Sequence, residues 1–444
     1  MLPGEGCSTA DHRNLRTHIS LSCLRCRHTG VRLFRMSRRM AKERRRLHRM
    51  IRAAELLILV TLGLNASEAF ASDKTEPATM QYMEGSESSG WIPFEVYQGK
   101  HLYFSAIVNG HHVTALLDSG ASLVVVNESA AAGLGVLPED TSTGIGVGGI
   151  GTSRVSHDVR ITVGRLNVYA QQVVIVDESE TDKRIGHSQD IALGGEIFQK
   201  AIVDIDFRHN RLEILNPDGF KLPAHAQVLP LYAAGDVRAV SATVEGRAAH
   251  MLFDLGNGGA VYLHPRFWDR PAFLAGRQLS SAFSGGWTGA SSQKITMLRS
   301  LKIGSATFEN LPAILRDSAT GGLNDIDGNI GLPVWSRFHL IVDFPHNRLI
   351  LVSSVDVVTP FSANHTGLSL RQNARGVEVV YVAPGSPGGA AHLKAGDVIT
   401  SVRSAASGEN IALSSNWTNA PLNTSFRILL ADGKVIQLTT ARYF

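Results

Sequence analysis

The chain is poor in the groups on which many catalysts, metal sites and anchors depend. Its 444 residues include three cysteines, Cys7, Cys23 and Cys26, all near the N-terminus. Beyond them no disulfide can staple the fold and no thiol can act as a nucleophile. Cys23 and Cys26 have the spacing of half a zinc site, but no second ligand pair follows at finger spacing, so the pair reads as incidental. There is no Gly-x-Ser-x-Gly turn to expose a serine nucleophile and no His-Glu-x-x-His frame to hold a metal. His111-His112 falls in a hairpin turn instead. Long helical periodicity is nearly absent. The one apolar run near the N-terminus, Leu56–Leu64, is nine residues long, against the ~20 that span a bilayer comfortably.

Positive charge is scarce outside the start of the chain. Residues 1–52 hold 14 Lys and Arg against 3 Asp and Glu; taking that excess of 11 from the overall +4 leaves a formal −7 for the rest. No basic patch interleaved with aromatics follows, so nothing points to nucleic acid. The basic stretch Arg44–Arg52, the apolar run and the small-x-small triplet Ala69-Phe70-Ala71 have the order of a secretory signal. Residues 1–71 are therefore read as a basic extension with a signal peptide, its alternative being an uncleaved N-terminal membrane anchor. Export to the periplasm or cell envelope is the expectation. Residues 72–90, rich in Ser, Glu and Thr without periodicity, read as a disordered leader.

From about 91 to 355 the chain is written in short alternating strands, as in Val159-Arg-Ile-Thr-Val163 and Val168–Val176, separated by Gly- and Asn-bearing turns. The pattern predicts an all-β body. Within it one passage occurs twice. Thr114-Ala-Leu-Leu-Asp118-Ser-Gly120-Ala is echoed by His250-Met-Leu-Phe-Asp254-Leu-Gly256-Asn, 136 residues later. Each copy has its own downstream echo: Ala192-Leu-Gly194 lies 76 residues after Asp118, and Asn329-Ile-Gly331 ends 77 residues after Asp254. His209 and His346 also recur beside Asn-Arg, marking a shared structural turn after Phe207 and Phe344. A module duplicated around one aspartate per copy is built to bring two carboxylates together.

An apolar strand can deliver each carboxyl to a turn, where glycine lets the backbone bend tightly beneath it. Two carboxyls a few ångströms apart cannot both ionise and share one proton. The ionised member can activate water while the protonated one polarises a carbonyl and protonates the leaving amine. That chemistry needs neither metal nor cofactor. The arrangement resembles the pepsin and retropepsin clan of aspartic proteases over roughly residues 95–355. The resemblance implies a pair of β-barrel lobes, 91–222 and 223–357. It also implies Asp118 and Asp254 as catalytic residues, with Ser119, Gly120, Gly256, Gly194 and Gly331 in support. The second copy departs from the clan pattern: Leu255 replaces a hydroxyl residue and Asn257 a small one, so one cross-lobe hydroxyl brace is lost.

The glycine run Thr143–Gly151 contains a formal Gly-x-Gly-x-x-Gly, but a strand pattern follows where a dinucleotide site needs a helix. Its place after Asp118 suits a hairpin tip over the cleft, with Gly146, Val147, Gly148 and Gly149 meeting the backbone of an extended peptide. Ser284–Gly289 is the symmetry-related hairpin, where Trp287 is either a subsite wall or a packed aromatic.

Residues 362–444 resemble a PDZ domain, through Pro384-Gly-Ser-Pro387 and Gly396-Asp-Val-Ile399. The resemblance puts a carboxylate-binding loop at Gly367, Leu368, Ser369 and Leu370, with a C-terminal peptide as ligand. The expectation for the chain is an exported aspartic endopeptidase acting on polypeptides, monomeric because one chain supplies both aspartates, without metal, cofactor or nucleic acid. Its rival is a catalytically inactive peptide-binding scaffold that uses the same cleft and the PDZ-like unit. A third reading pairs the first aspartate across a dimer.

Overall fold

The computed structural model describes residues 78–444, apart from 147–148, 320–322, 324 and 355–357. The basic extension and signal segment, the three cysteines, and the hairpin-tip residues Val147 and Gly148 lie outside the described residues. The described chain is mostly β. Among the described residues, twenty-one strands form one hydrogen-bonded system and six more form a separate sheet near the C-terminus.

Period-two alternation builds the strands. In Gly149–Val163, Val159, Ile161 and Val163 turn inward, and they meet Leu166, Val168 and Ala170 of the paired strand Leu166–Val176. The strand that ends at the first aspartate, His111–Leu117, runs parallel to Ile191–Leu193. Ile191–Leu193 is also flanked by Val124–Asn127, which pairs in parallel with Leu166–Val176. The second half repeats this scheme. Arg247–Phe253 runs parallel to Gly328–Ile330, flanked by Val261–Leu263, itself parallel to Ala306–Leu315.

The halves join through a shared antiparallel pairing, Ile202–Asp206 against Phe338–Asp343, in register from Ile202↔Asp343 to Asp206↔His339. Beneath the two aspartate turns Phe198 meets Phe344 at 5.3 Å, and Phe253 meets Trp335 at 4.9 Å, all four fully buried or nearly so. Of these contacts Phe198–Phe344 crosses between the halves, while Phe253–Trp335 packs within the second. The repeated His-Asn-Arg turns are structural: His209 bonds Asp206 at 2.6 Å and His346 bonds Asp343 at 2.8 Å.

The leader differs from its sequence reading. Residues 78–90 are built into the body, with Thr79–Tyr82 as a strand against Leu166–Val176 and Ser89 buried and bonded to Ile214. Met80 and Tyr82 supply an apolar face that composition alone obscures. In the C-terminal sheet, Leu368, Val377, Val379, Ile399, Phe426 and Ile428 form a separate core. Its edge strand, Leu368–Asn373, pairs on one side with Gly376–Val382.

Candidate active site

Each aspartate is held by the same local device. Asp118 follows directly on its strand and its N–H donates to Leu193 O at 2.9 Å; Asp254 N–H donates to Ile330 O at 3.2 Å. The parallel partner strand thus pins both turns from behind. Gly120 and Gly256 then let the turns close on each other. A Cβ on Gly120 would sit 2.7 Å from Asp254 Cγ, and one on Gly256 2.2 Å from Asp118 Cγ. Every residue but glycine would push the opposite carboxyl away. Gly194 and Gly331 serve the layer behind, where a Cβ would lie 2.6 Å from Ala121 O and 2.1 Å from Gly259 O.

Ser119 reaches across the halves. Its Oγ donates to Phe253 O at 3.1 Å and accepts from Leu255 N–H at 2.9 Å. Leu255 is fully buried and apolar, so no hydroxyl at 255 returns the bond. The carboxyls themselves differ in their donors. Asp118 Oδ1 accepts from Gly120 N–H at 2.8 Å. Asp254 Oδ1 accepts from Gly256 N–H at 3.0 Å and Asn257 N–H at 3.1 Å, while its Oδ2 accepts from Asn329 Nδ2 at 2.5 Å.

Burial, and then the neighbouring Asp254, push the Asp118 carboxyl up to about 7. Burial also raises Asp254, but its donors, Asn329 first among them, oppose that rise, and a hydrogen bond to Asp118 helps. Below about 7, where Asp118 holds its proton, an ionised Asp254 leaves the pair sharing one proton. A third acid, Glu178, lines the same cleft and is pushed up to about 7 by burial. His101 approaches Gly256 from the other side and is held down to about 4 by burial and by Lys100, so it stays neutral.

A cavity of about 1200 Å³ opens above the dyad. Two hairpins bound it, Asp140–Gly146 with Gly149–Val163, and Ser280–Gly286 with Gly289–Ile303. They meet at their tips. Trp287 lies on the glycines of the first hairpin: a Cβ on Gly146 would be 2.7 Å from its Nε1, and one on Gly151 2.6 Å from its ring. The glycine run therefore gives an indole a bed, which is one physical reason for its composition. Gly146 and Gly149 are the tip residues placed here.

Ser369 and Leu370 line the same cavity from the C-terminal sheet. The loop before them is internally occupied: Gly367 N–H donates to Asn364 Oδ1 at 2.9 Å and Leu368 N–H to Thr366 Oγ1 at 3.2 Å. Asn329, Glu178 and His101 went unsingled in the sequence because each acts on a turn far from it in the chain. Asn329 was visible only as a polar residue where the first half has Ala192.

The turns, the facing carboxyls and the overhanging hairpins define a paired-aspartate cleft, the kind of site expected of an aspartyl-protease-like domain. Comparison agrees at the level of one domain: residues 104–197 match the aspartyl protease family, so the first half holds an aspartyl-protease-like domain. No curated protein matches the chain.

Proposed function

We propose that the protein is an exported aspartic endopeptidase, with its two halves acting as the two barrel lobes of one monomeric catalyst and a PDZ-like unit at the C-terminus. The observation that carries the reading is the reciprocal seating of each carboxyl against the opposite turn's glycine, at Gly120 and Gly256. That seating brings the two carboxyls within hydrogen-bonding reach of each other, where they can share one proton beside a water drawn from the cleft. The ionised member takes a proton from the water as it attacks the peptide carbonyl, and the protonated member polarises the carbonyl oxygen. Collapse of the tetrahedral species returns a proton to the leaving amine.

The substrate is an extended polypeptide. The hairpin strands present backbone groups above the cleft, and the cavity is long enough to reach the edge strand Leu368–Asn373. A C-terminal peptide docking on the PDZ-like unit must contend with Asn364 and Thr366 for the loop amides. The signal-like order of residues 44–71 supports export.

The test is cleavage of a peptide library by the purified protein from about pH 3 to 8, beside Asp118→Asn and Asp254→Asn. Both variants are expected to fold normally and to lose about 10²–10⁴-fold in turnover, the usual weight of acid–base catalysis. Undiminished cleavage by either variant overturns the dyad. Peptide binding without cleavage by the parent protein favours the scaffold.

A further inference from the structure

The two copies of the aspartate turn are not equivalent, and the difference is concentrated at two positions. By strand register Asn329 stands opposite Leu252 as Ala192 stands opposite Leu116, two residues before each aspartate. Asn257 stands where the first copy has Ala121. The second half thus carries a pair of amides where the first carries a pair of methyls.

We propose that Asn329, oriented by Asn257, is the positioning residue that keeps the negative charge of the dyad on Asp254 and its proton on Asp118. This deepens the hydrolytic reading above and rests on it for its mechanistic meaning: Asp254 becomes the base that activates water, and Asp118 the acid.

The argument is one of donors. Gly259 N–H can only donate, so its 2.8 Å partner on Asn257 is Oδ1. Asn257 Nδ2 then faces Asn329 Oδ1 at 2.9 Å. That leaves Asn329 Nδ2 as the group directed at Asp254 Oδ2, at 2.5 Å. Neither amide can flip without breaking a bond, so the relay ends in a donor and favours a charged acceptor. Leu332 N–H, bonded to Asn257 O at 2.9 Å, holds the loop that carries it. In the first half Ala121 and Ala192 provide no side-chain donor, and Asp118 is left with backbone donors alone. The replacement of a small residue by Asn257, a departure from the clan pattern, thereby acquires a purpose.

The other groups facing the dyad are Glu178, on the Asp118 side, His101 at Gly256, and Tyr262, whose hydroxyl bonds Ser284 Oγ at 3.1 Å beside Arg316. Asn329→Ala leaves all of them in place, and the first half shows that alanine fits this strand position.

The experiment is carbon-detected NMR titration of the aspartate carboxyls in the full protein, in Asn329→Ala and in Asn257→Ala, beside pH–rate profiles. In the parent, Asp254 is expected to ionise at lower pH than Asp118. In Asn329→Ala its midpoint should rise by about one pH unit, tenfold in the ionisation equilibrium. The acid limb of kcat should move up with it while KM changes little. Asn257→Ala should shift the midpoint the same way by less. An unchanged order and midpoint of titration in both variants overturns the assignment. The titration needs no turnover, so a parent protein that cleaves nothing would defeat the endopeptidase reading while leaving this assignment separately tested.

Discussion

Glu196 shows how much a single buried acid can disclose. It lies just behind Gly194, with Oε1 accepting from Val124 N–H at 2.9 Å and Oε2 buried without a partner among the described residues. Burial pushes it up to about 7. Its folded value thus lies above its unfolded one, so the native state holds a proton that the unfolded chain releases near 4.5. The stability it contributes is complete below about 4.5 and is lost as pH rises through about 7. Glu196→Gln keeps the shape and the proton-bearing atom without the ionisation. Its unfolding free energy relative to the parent should therefore climb between pH 5 and 8, by up to about 3 kcal/mol. Denaturant melts at the two pH values check this; a constant gap would mean that Glu196 is not buried as an acid. Asp118 follows the same sign at the site. Its proton is lost as pH passes about 7, so cleavage should fall on that alkaline limb in a pH–rate profile.

The hairpins pose the question at the level of elements. Trp287 rests on three glycines of the opposite hairpin, Gly144, Gly146 and Gly151, and so couples the two tips. Trp287→Ala removes an aromatic contact of about 1 kcal/mol or more. Amide exchange in Gly149–Val163 should quicken roughly fivefold or more, and KM for peptides should rise, while the carboxyl titrations stay put; exchange mass spectrometry reads the first effect. The strands and the two turns were legible in the sequence because the duplication holds register around Asp118 and Asp254. The pairing of strand Thr79–Tyr82 was not, because four residues with two apolar side chains give too little alternation against a polar flank. Nor was the Trp287 contact, since glycine content says that something approaches closely but not what. The Asn257–Asn329 relay was equally hidden: its bond spans 72 residues, and only the register of Gly328–Ile330 brings the amides together.

In the whole molecule the C-terminal sheet is docked on both halves. Arg371 bridges Glu180 at 2.7 Å and Glu378 at 2.8 Å. Gln98 and Asn416 hold the first half, through Gln98 Nε2 to Ser414 O at 2.8 Å and Asn416 Nδ2 to Gln98 O at 2.9 Å. Tyr381 engages the second, stacked on Phe283 at 6.0 Å and bonded to Ser281 at 2.5 Å. These polar contacts are partly exposed and each of modest strength, beside a buried apolar cluster in which Ala383, Tyr443 and Phe444 pack with Ile295 of the second half. Tyr381→Ala is expected to loosen the unit from the Ser280–Gly286 hairpin and to raise cleavage of protein-sized substrates relative to a short peptide. Parallel assays of both substrates decide it; an unchanged ratio would show that the docked sheet does not limit access.

The pairing of Ile202–Asp206 with Phe338–Asp343 has a consequence of a different kind. Because both halves are encoded in one continuous gene product, each can mutate alone. Two identical chains related by a twofold axis would carry asparagine at both 329-like positions or at neither, and their carboxyls would have to choose a role by chance in every encounter. On the proposed assignment inheritance makes the choice, and handedness is written into the carboxyl pair before any ligand arrives.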